Sequence, residues 1–369
     1  MAEPETPKPP ETVRTENESP SDHGLEWPFS HSELTAGLRR HTGDPTLTIL
    51  SLKESEISQR RPAVGKLRGL LVQTQGNDGQ KSFSLVLKQT QGSTRTGAAG
   101  AGLREKSIYQ ILREHLPVHL PELIAAHPKG EWLVLAHLPP GRQPEKWTAA
   151  DYLLAVEQLA VLHDRFWCLD MHLNVYPWLE KPLEADRDIH LQAARADAAR
   201  LVQNTNSVLS RQTDILSATE KIIDHLDLIS NGLLESPATL LHGDYWPGNI
   251  HIGTNSRVTV YDWEDAAVGP AVLDVLSFIQ GSSWYFSPLP VSSDEMIAHY
   301  RSQLTKAGAY TYTNDEFERL WDYAVLWAFV GGWVGNLANT PDSILAMRLP
   351  ALEEVLFSPL RQALSRQLK

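Results

Sequence analysis

The sequence predicts an α+β chain of two lobes: a small antiparallel β lobe with one helix, then a large, mainly helical C-terminal lobe. Short β-rich runs crowd residues 45–90, and long stretches with helical spacing fill the chain after about 145. A single two-strand interruption at 249–263 lies inside the helical half and carries the densest polar chemistry. At 369 residues the chain is too long for one minimal core, and its 42% hydrophobic and 21% charged content is ordinary for a globular protein.

Residues 1–24, "MAEPETPKPPETVRTENESPSDHG", are rich in Pro, Glu and Ser and bury too little to offset their ordering entropy, so they are expected to be a disordered tail. They show no secretory leader pattern, and no later stretch approaches the roughly 18 apolar residues of a membrane helix. The single cysteine, Cys168, excludes an internal disulfide and a cysteine zinc cage. A cytoplasmic location, no membrane partner and an inert buried thiol at Cys168 are the expectations that follow.

The small lobe is expected at 25–139. "TLTILSL", "KLRGLLVQT" and "SFSLVLKQT" read as strands, with "QGNDGQ" as the turn between the second and third. "QGSTRTGAAGAG" at 91–102 reads as a mobile loop. "LREKSIYQILREHL" at 103–116 places Leu103, Ile108, Ile111 and Leu112 at helical spacing. "WLVLAHL" at 132–138 is a further strand, and "PPG" closes it at a hinge near 135–140. Residues 140–369 form the helical lobe, with the catalytic loop and substrate pocket expected there. Its helices are read at 148–167, 188–212, 218–234, 292–308 and 314–339. A cleft between lobes is where a small-molecule site tends to lie.

The formal charge of −12 is unevenly placed, with 28 acidic and 15 basic residues from 151 onward and 17 acidic and 18 basic before it. An acidic half disfavours nucleic acid as a partner and suits a cationic small molecule or simply a soluble surface.

The chemistry concentrates in "HGDYWPGNI" at 242–250 and "VTVYDWED" at 258–265. An antiparallel pair between them returns the chain to its start, bringing Asn249 and Asp262 together. A carboxylate and an amide oxygen are hard ligands that suit Mg²⁺. Asp244 stands nearby to accept a proton from a hydroxyl, and Pro247 and Gly248 would fix the turn separating the two roles. In the small lobe Lys88 ends an apolar strand, and Glu105 on the next helix can pair with it. A strand lysine, a helix glutamate, a base and two metal ligands are the parts of kinase-type phosphoryl transfer.

With "VLK", "LREKSIYQIL", "LAVLHDRFW", "LHGDYWPGNI" and "VYDWEDAAVGPAVLDV" over roughly 45–360, the chain resembles the aminoglycoside phosphotransferase family, which has a protein-kinase-like fold and includes the choline kinases. The resemblance implies Mg²⁺ and ATP (or GTP), with a hydroxyl of a small molecule as acceptor. It makes Asp244 the catalytic base, puts Asn249 and Asp262 on the metal, Lys88 on the phosphates and Glu105 on Lys88. It also places the backbone of Ala136, His137 and Leu138 at the nucleotide's base, and makes Asp274 structural.

Two features depart from that family. The expected phosphate loop, "ESEISQRRPAVGKLRG", has only Gly65 and Gly69, so "STRTGAAGAG" could share its task. His137 stands where relatives often carry an acidic residue. His242 and His251 are read as structural, and His163 and Asp164 as pinning a helix against the catalytic loop. Trp321, Trp327 and Trp333 recur every six residues, which does not hold one helix face, so they are expected to pack rather than line a site. Asp315, Glu316, Glu318 and Asp322 are candidates for an amine contact or a solvated helix start. "DWE" in place of D-F-G, with no A-P-E after it, argues against a protein kinase. The acceptor is an antibiotic or a metabolite; the competing function is a non-catalytic nucleotide-binding protein.

Overall fold

The computed structural model describes residues 26–57, 66–90, 92–94, 97–203, 208–308 and 312–368. The tail expected at 1–24 and residues 58–65 of the expected phosphate loop lie outside them, as do Gln91, Arg95 and Thr96.

The first element is a helix that the sequence pattern passed over, α1 (His31–Thr42). Its signals are local. Ser30 and Glu33 form a reciprocal capping box, and Gly43 ends the helix at φ 70°. Leu34 and Leu38 are fully buried in a core shared with Leu70, Val72, Leu87 and Val134 of the sheet.

That sheet contains β1 (Thr48–Ser55), β2 (Lys66–Gly76) and β3 (Gly79–Gln89), followed by the helix α2 (Ala101–Ser107), then β4 (Leu123–Ala126) and β5 (Trp132–Ala136). Its order is β1-β2-β3-β5-β4, antiparallel throughout. The β2–β3 turn closes with Gly76 opposite Gly79, at the place the sequence marked. The helix expected over 103–116 is helical from 101 to 115, but its middle, Ile108–Leu112, is a π turn. The described part of the loop at 92–100 is tied by backbone bonds from Gly100 N–H to Gly92 O at 2.7 Å and from Thr94 N–H to Ala98 O at 2.8 Å.

After the short strand β6 (Gly141–Arg142) come α3 (Ala149–Arg165), α4 (Asp170–Leu173), α5 (Arg187–Gln203), α6 (Thr213–Asp224) and α7 (Leu226–Leu234). The helix expected over 218–234 is thus two, broken at His225, which leaves helical geometry at φ −108°, ψ 18°. Next are β7 (Ala238–Leu241), β8 (Ile250–Gly253), β9 (Val258–Val260) and β10 (Ala267–Pro270). β8 and β9 are the expected hairpin, extended to three strands by β6, while β7 pairs with β10. The remainder is helical: α8 (Val272–Phe286), α9 (Ser293–Ala307), α10 (Asn314–Ala328), α11 (Val334–Asn339), α12 (Asp342–Leu352) and α13 (Ser358–Gln367). None of the helices among the described residues is long and apolar enough to cross a membrane.

Cys168 corrects its expectation. It ends the turn after α3 at φ 57° with its side chain exposed, because the left-handed backbone there carries it out of the core.

Candidate active site

The loop from β7 to β8 is held by its backbone. His242 N–H and Gly243 N–H donate to the two carboxylate oxygens of Asp274, at 2.7 and 3.0 Å. Asp274, in the first turn of α8, also lies 3.4 Å from His163 Nε2, and Tyr300 Oη is 2.7 Å from His163 Nδ1. Asp274 thus anchors the loop and links it to His163 on α3, where His163 with Asp164 was expected to pin a helix against it. Gly243 has φ 84°, and a Cβ there would fall 2.0 Å from the Asp265 carbonyl oxygen. His242 Nε2–H donates to Tyr261 O at 3.0 Å and Nδ1 accepts from Asp244 N–H at 3.3 Å. Burial lowers the His242 pKa, which keeps that neutral arrangement.

These contacts present Asp244. Asn249 Nδ2 donates to both Asp244 O and Asp244 Oδ2 at 2.9 Å, which leaves Asn249 Oδ1 as the acceptor end of the amide. The tight turn Pro247–Asn249 separates the two residues.

The second cluster surrounds Lys88. Its ammonium lies 2.6 Å from Glu105 Oε2 and 2.9 Å from Glu264 Oε2, and also bonds Asp262 Oδ1. Burial opposes its charge, but Asp262, Glu105 and Glu264 together hold its pKa well above the ordinary value. Burial also pushes the Glu105 carboxyl up to about 7, against the pull of Lys88, with Asp262 and Glu264 adding to the rise. Glu264 was missed by sequence reasoning. No periodicity could have found it, because Asp262 at φ 68° and the turn at Glu264 break the extended alternation between the two.

The hairpin does bring Asn249 and Asp262 to neighbouring positions. Ile250 is opposite Val260, and Tyr261 N–H donates to Asn249 O at 3.1 Å. Their side chains turn to different partners, Asn249 to Asp244 and Asp262 to Lys88. Asp262 holds φ 68°, a conformation that costs energy in a non-glycine residue and often marks a functional site.

At the hinge, Ala136 N–H is taken by Glu122 O at 2.8 Å and His137 N–H by Ser84 O at 3.0 Å. Both donors therefore serve the sheet. Leu138 follows, beyond the last residue of β5.

The residues fit a magnesium ion by the chemistry of their donors. Carboxyl oxygens of Glu105, Asp262 and Glu264 lie within 4.8 Å of one another, so the Lys88 ammonium faces three carboxyl groups. Hard oxygens in excess of positive charge are what Mg²⁺ selects.

Asp244 also lines a cavity of about 790 Å³, together with Glu180, Asp265, Trp246, Trp327 and Trp333. Burial, with Asp244 and Glu264 nearby, raises the Asp265 pKa well above the ordinary carboxylate value. Trp327 and Trp333 pack in the core as expected but also share this wall, because the turn Phe329–Trp333 between them is π rather than α and changes the angular spacing. Two of the acidic candidates on α10 serve the fold. Glu316 caps the helix with Thr313, and Asp322 is buried against Arg366 Nε at 2.7 Å.

The sequence profile of the phosphotransferase enzyme family matches residues 70–311. Among curated proteins, none matches the sequence. Among solved structures, an ethanolamine kinase from Plasmodium vivax is 13% identical, covering 85% of this chain and 83% of its own at a TM-score of 0.55. A choline kinase from Cryptosporidium parvum is 12% identical, covering 92% and 100% at 0.53. A macrolide 2'-phosphotransferase from Brachybacterium faecium is 17% identical, covering 83% and 98% at 0.46. At such identities the likeness is one of fold: kinase-like, with an antiparallel sheet followed by a mostly helical part. With two thirds of its length matched by the family profile, the chain belongs to the phosphotransferase enzyme family.

Proposed function

We propose that the chain transfers the γ-phosphoryl group of ATP or GTP to a hydroxyl of a small acceptor, with a cationic acceptor favoured. The observation that carries this reading is the Asp244 carboxylate, oriented by Asn249 in the wall of a cavity rich in acids and tryptophans. The acceptor's hydroxyl oxygen attacks the γ-phosphorus, the bond to the β–γ bridging oxygen breaks, and the nucleoside diphosphate leaves with that oxygen. The hydroxyl proton passes to Asp244.

Lys88, steered by Glu105, contacts the phosphates, and the hinge backbone of 136–138 meets the base. With two hinge N–H groups engaged in the sheet, Leu138 N–H and the carbonyls are the groups that read the base. Asn249 Oδ1 and Asp262 would hold magnesium, which when bound supplies charge neutralisation on the phosphates. The acidic and aromatic residues lining the cavity support an amine-bearing acceptor.

The test is release of ADP or GDP with Mg²⁺ across aminoglycosides, macrolides, amino alcohols and sugars, beside Asp244→Ala. Acceptor-dependent release that the variant loses supports the reading and names the substrate class. Nucleotide binding without turnover on any acceptor would favour a non-catalytic binding protein.

A further inference from the structure

Arg104, the neighbour of Glu105 on α2, takes no part in the chemistry above, yet its side chain is only 4% exposed. Its guanidinium donates from Nε to Trp178 O at 3.0 Å, from Nη2 to Ala99 O at 3.2 Å, and from Nη1 to the Glu264 carbonyl oxygen. It therefore fixes the backbone of the segment that carries Asp262 and Glu264. Arg104 Nη2 also lies 3.6 Å from Glu180 Oε2.

Glu180 is itself 95% buried and has a second partner. Its Oε1 accepts from His190 Nε2–H at 2.6 Å. His190 lies in the first turn of α5, its ring lies 5.8 Å from that of Trp327, and both line the cavity beside Asp244. Glu180 is pinned by its backbone as well: its N–H donates to Ala266 O at 3.1 Å and its O accepts from Val268 N–H at 2.8 Å. One carboxylate thus joins a cavity residue on one oxygen to the clamp on the Asp262–Glu264 segment on the other.

Such a carboxylate needs both partners. Buried, it is costly unless each oxygen is satisfied, so loss of His190 changes how Glu180 holds Arg104. Arg104 in turn sets the Glu264 carbonyl and the cluster around Lys88.

We propose that Arg104, Glu180 and His190 couple the acceptor cavity to the nucleotide site, with Glu180 as the positioning residue. Filling the cavity against His190 tightens the nucleotide site, and an empty or altered cavity loosens it. The proposal rests on the nucleotide site described above and adds a coupling to it.

The test is the affinity for Mg²⁺ and ADP, measured by calorimetry on the full chain. Wild type is compared with His190→Phe, which keeps the ring but removes the donor, with His190→Gln, which restores a donor, with Glu180→Gln, and with the double variant His190→Phe/Glu180→Gln. His190 lies on the acceptor side, so a change in ADP affinity there reports coupling. His190→Phe and Glu180→Gln are each expected to weaken ADP by about three- to tenfold. The double variant should be no weaker than Glu180→Gln alone, and His190→Gln should recover most of the loss.

Equal ADP affinity in wild type and His190→Phe overturns the coupling while leaving the kinase reading intact, and so do independent, multiplying losses in the double variant. Wild type that binds no nucleotide overturns both. Melting temperatures identify any variant that fails to fold. If Glu180→Gln is one of these, the comparison of His190→Phe with His190→Gln decides the question alone.

Discussion

Asn249 grips Asp244 twice, its Nδ2 donating to the backbone oxygen and to Oδ2 of the aspartate at 2.9 Å each. In the proposed reading, the amide that would offer its oxygen to magnesium thereby also aims the proposed base. Asn249→Ala removes both functions at once. We expect kcat to fall by about 100-fold and the Mg²⁺ requirement to rise, with the melting temperature little changed. Initial rates over a Mg²⁺ series would check this; a variant with normal kcat at saturating Mg²⁺ would show that the grip on Asp244 does not matter.

Gly243 precedes Asp244 at φ 84° and has no room for a Cβ against the Asp265 carbonyl. Gly243→Ala should therefore displace Asp244 as well as strain the loop. The expected outcome is a lower melting temperature together with loss of most activity. Retention of full activity would mean that the loop relaxes without moving Asp244.

Lys88 and Glu105 are a buried pair, with side chains 10% and 1% exposed. Removing the cation leaves Glu105 without its partner, so Lys88→Met should cost about 3–5 kcal/mol of stability. Lys88→Met/Glu105→Gln should recover much of that loss while remaining inactive. Urea unfolding of the three proteins measures it, and equal stability of single and double variants would contradict the pairing.

Much of this site was legible in the sequence because its parts are local. Lys88 ends an apolar strand, Asp244 and Asn249 flank a proline turn, and Asp262 follows a two-strand hairpin whose register depends only on its own residues. The kinase-like fold was legible for the same reason, through strand alternation before 90 and helical spacing after 145. What escaped depends on contacts far apart in the chain or on irregular helix geometry. Glu264 joins Lys88 across 176 positions, and Arg104 meets Glu180 only once both lobes are in place. The shared wall of Trp327 and Trp333 depends on a π turn that a 3.6-residue period cannot anticipate. α1 was missed for another reason: its apolar face is narrow, while its caps, Ser30 with Glu33 and Gly43, were plain in the sequence.

The Glu105 carboxyl offers a pH test. Its pKa rises from the ordinary 4.5 to about 7 on folding, so between those values the folded chain holds more protons than the unfolded one. Its contribution to stability is full below 4.5 and is lost as the pH rises through 7. Without divalent cations, wild-type stability should therefore fall with pH across this window relative to Glu105→Gln. Parallel stability curves for the two proteins would contradict that shift.

The most direct measurement follows a label on the γ-phosphate. Wild type and Asp244→Asn are incubated with Mg²⁺, γ-labelled ATP or GTP, and each acceptor that promotes nucleotide turnover. The expected result is label on a hydroxyl of the acceptor with wild type, and a rate lower by about 10²–10⁴-fold with Asp244→Asn. Label that reaches only inorganic phosphate, or equal transfer by both proteins, would contradict the assignment of Asp244 as the base of a small-molecule kinase.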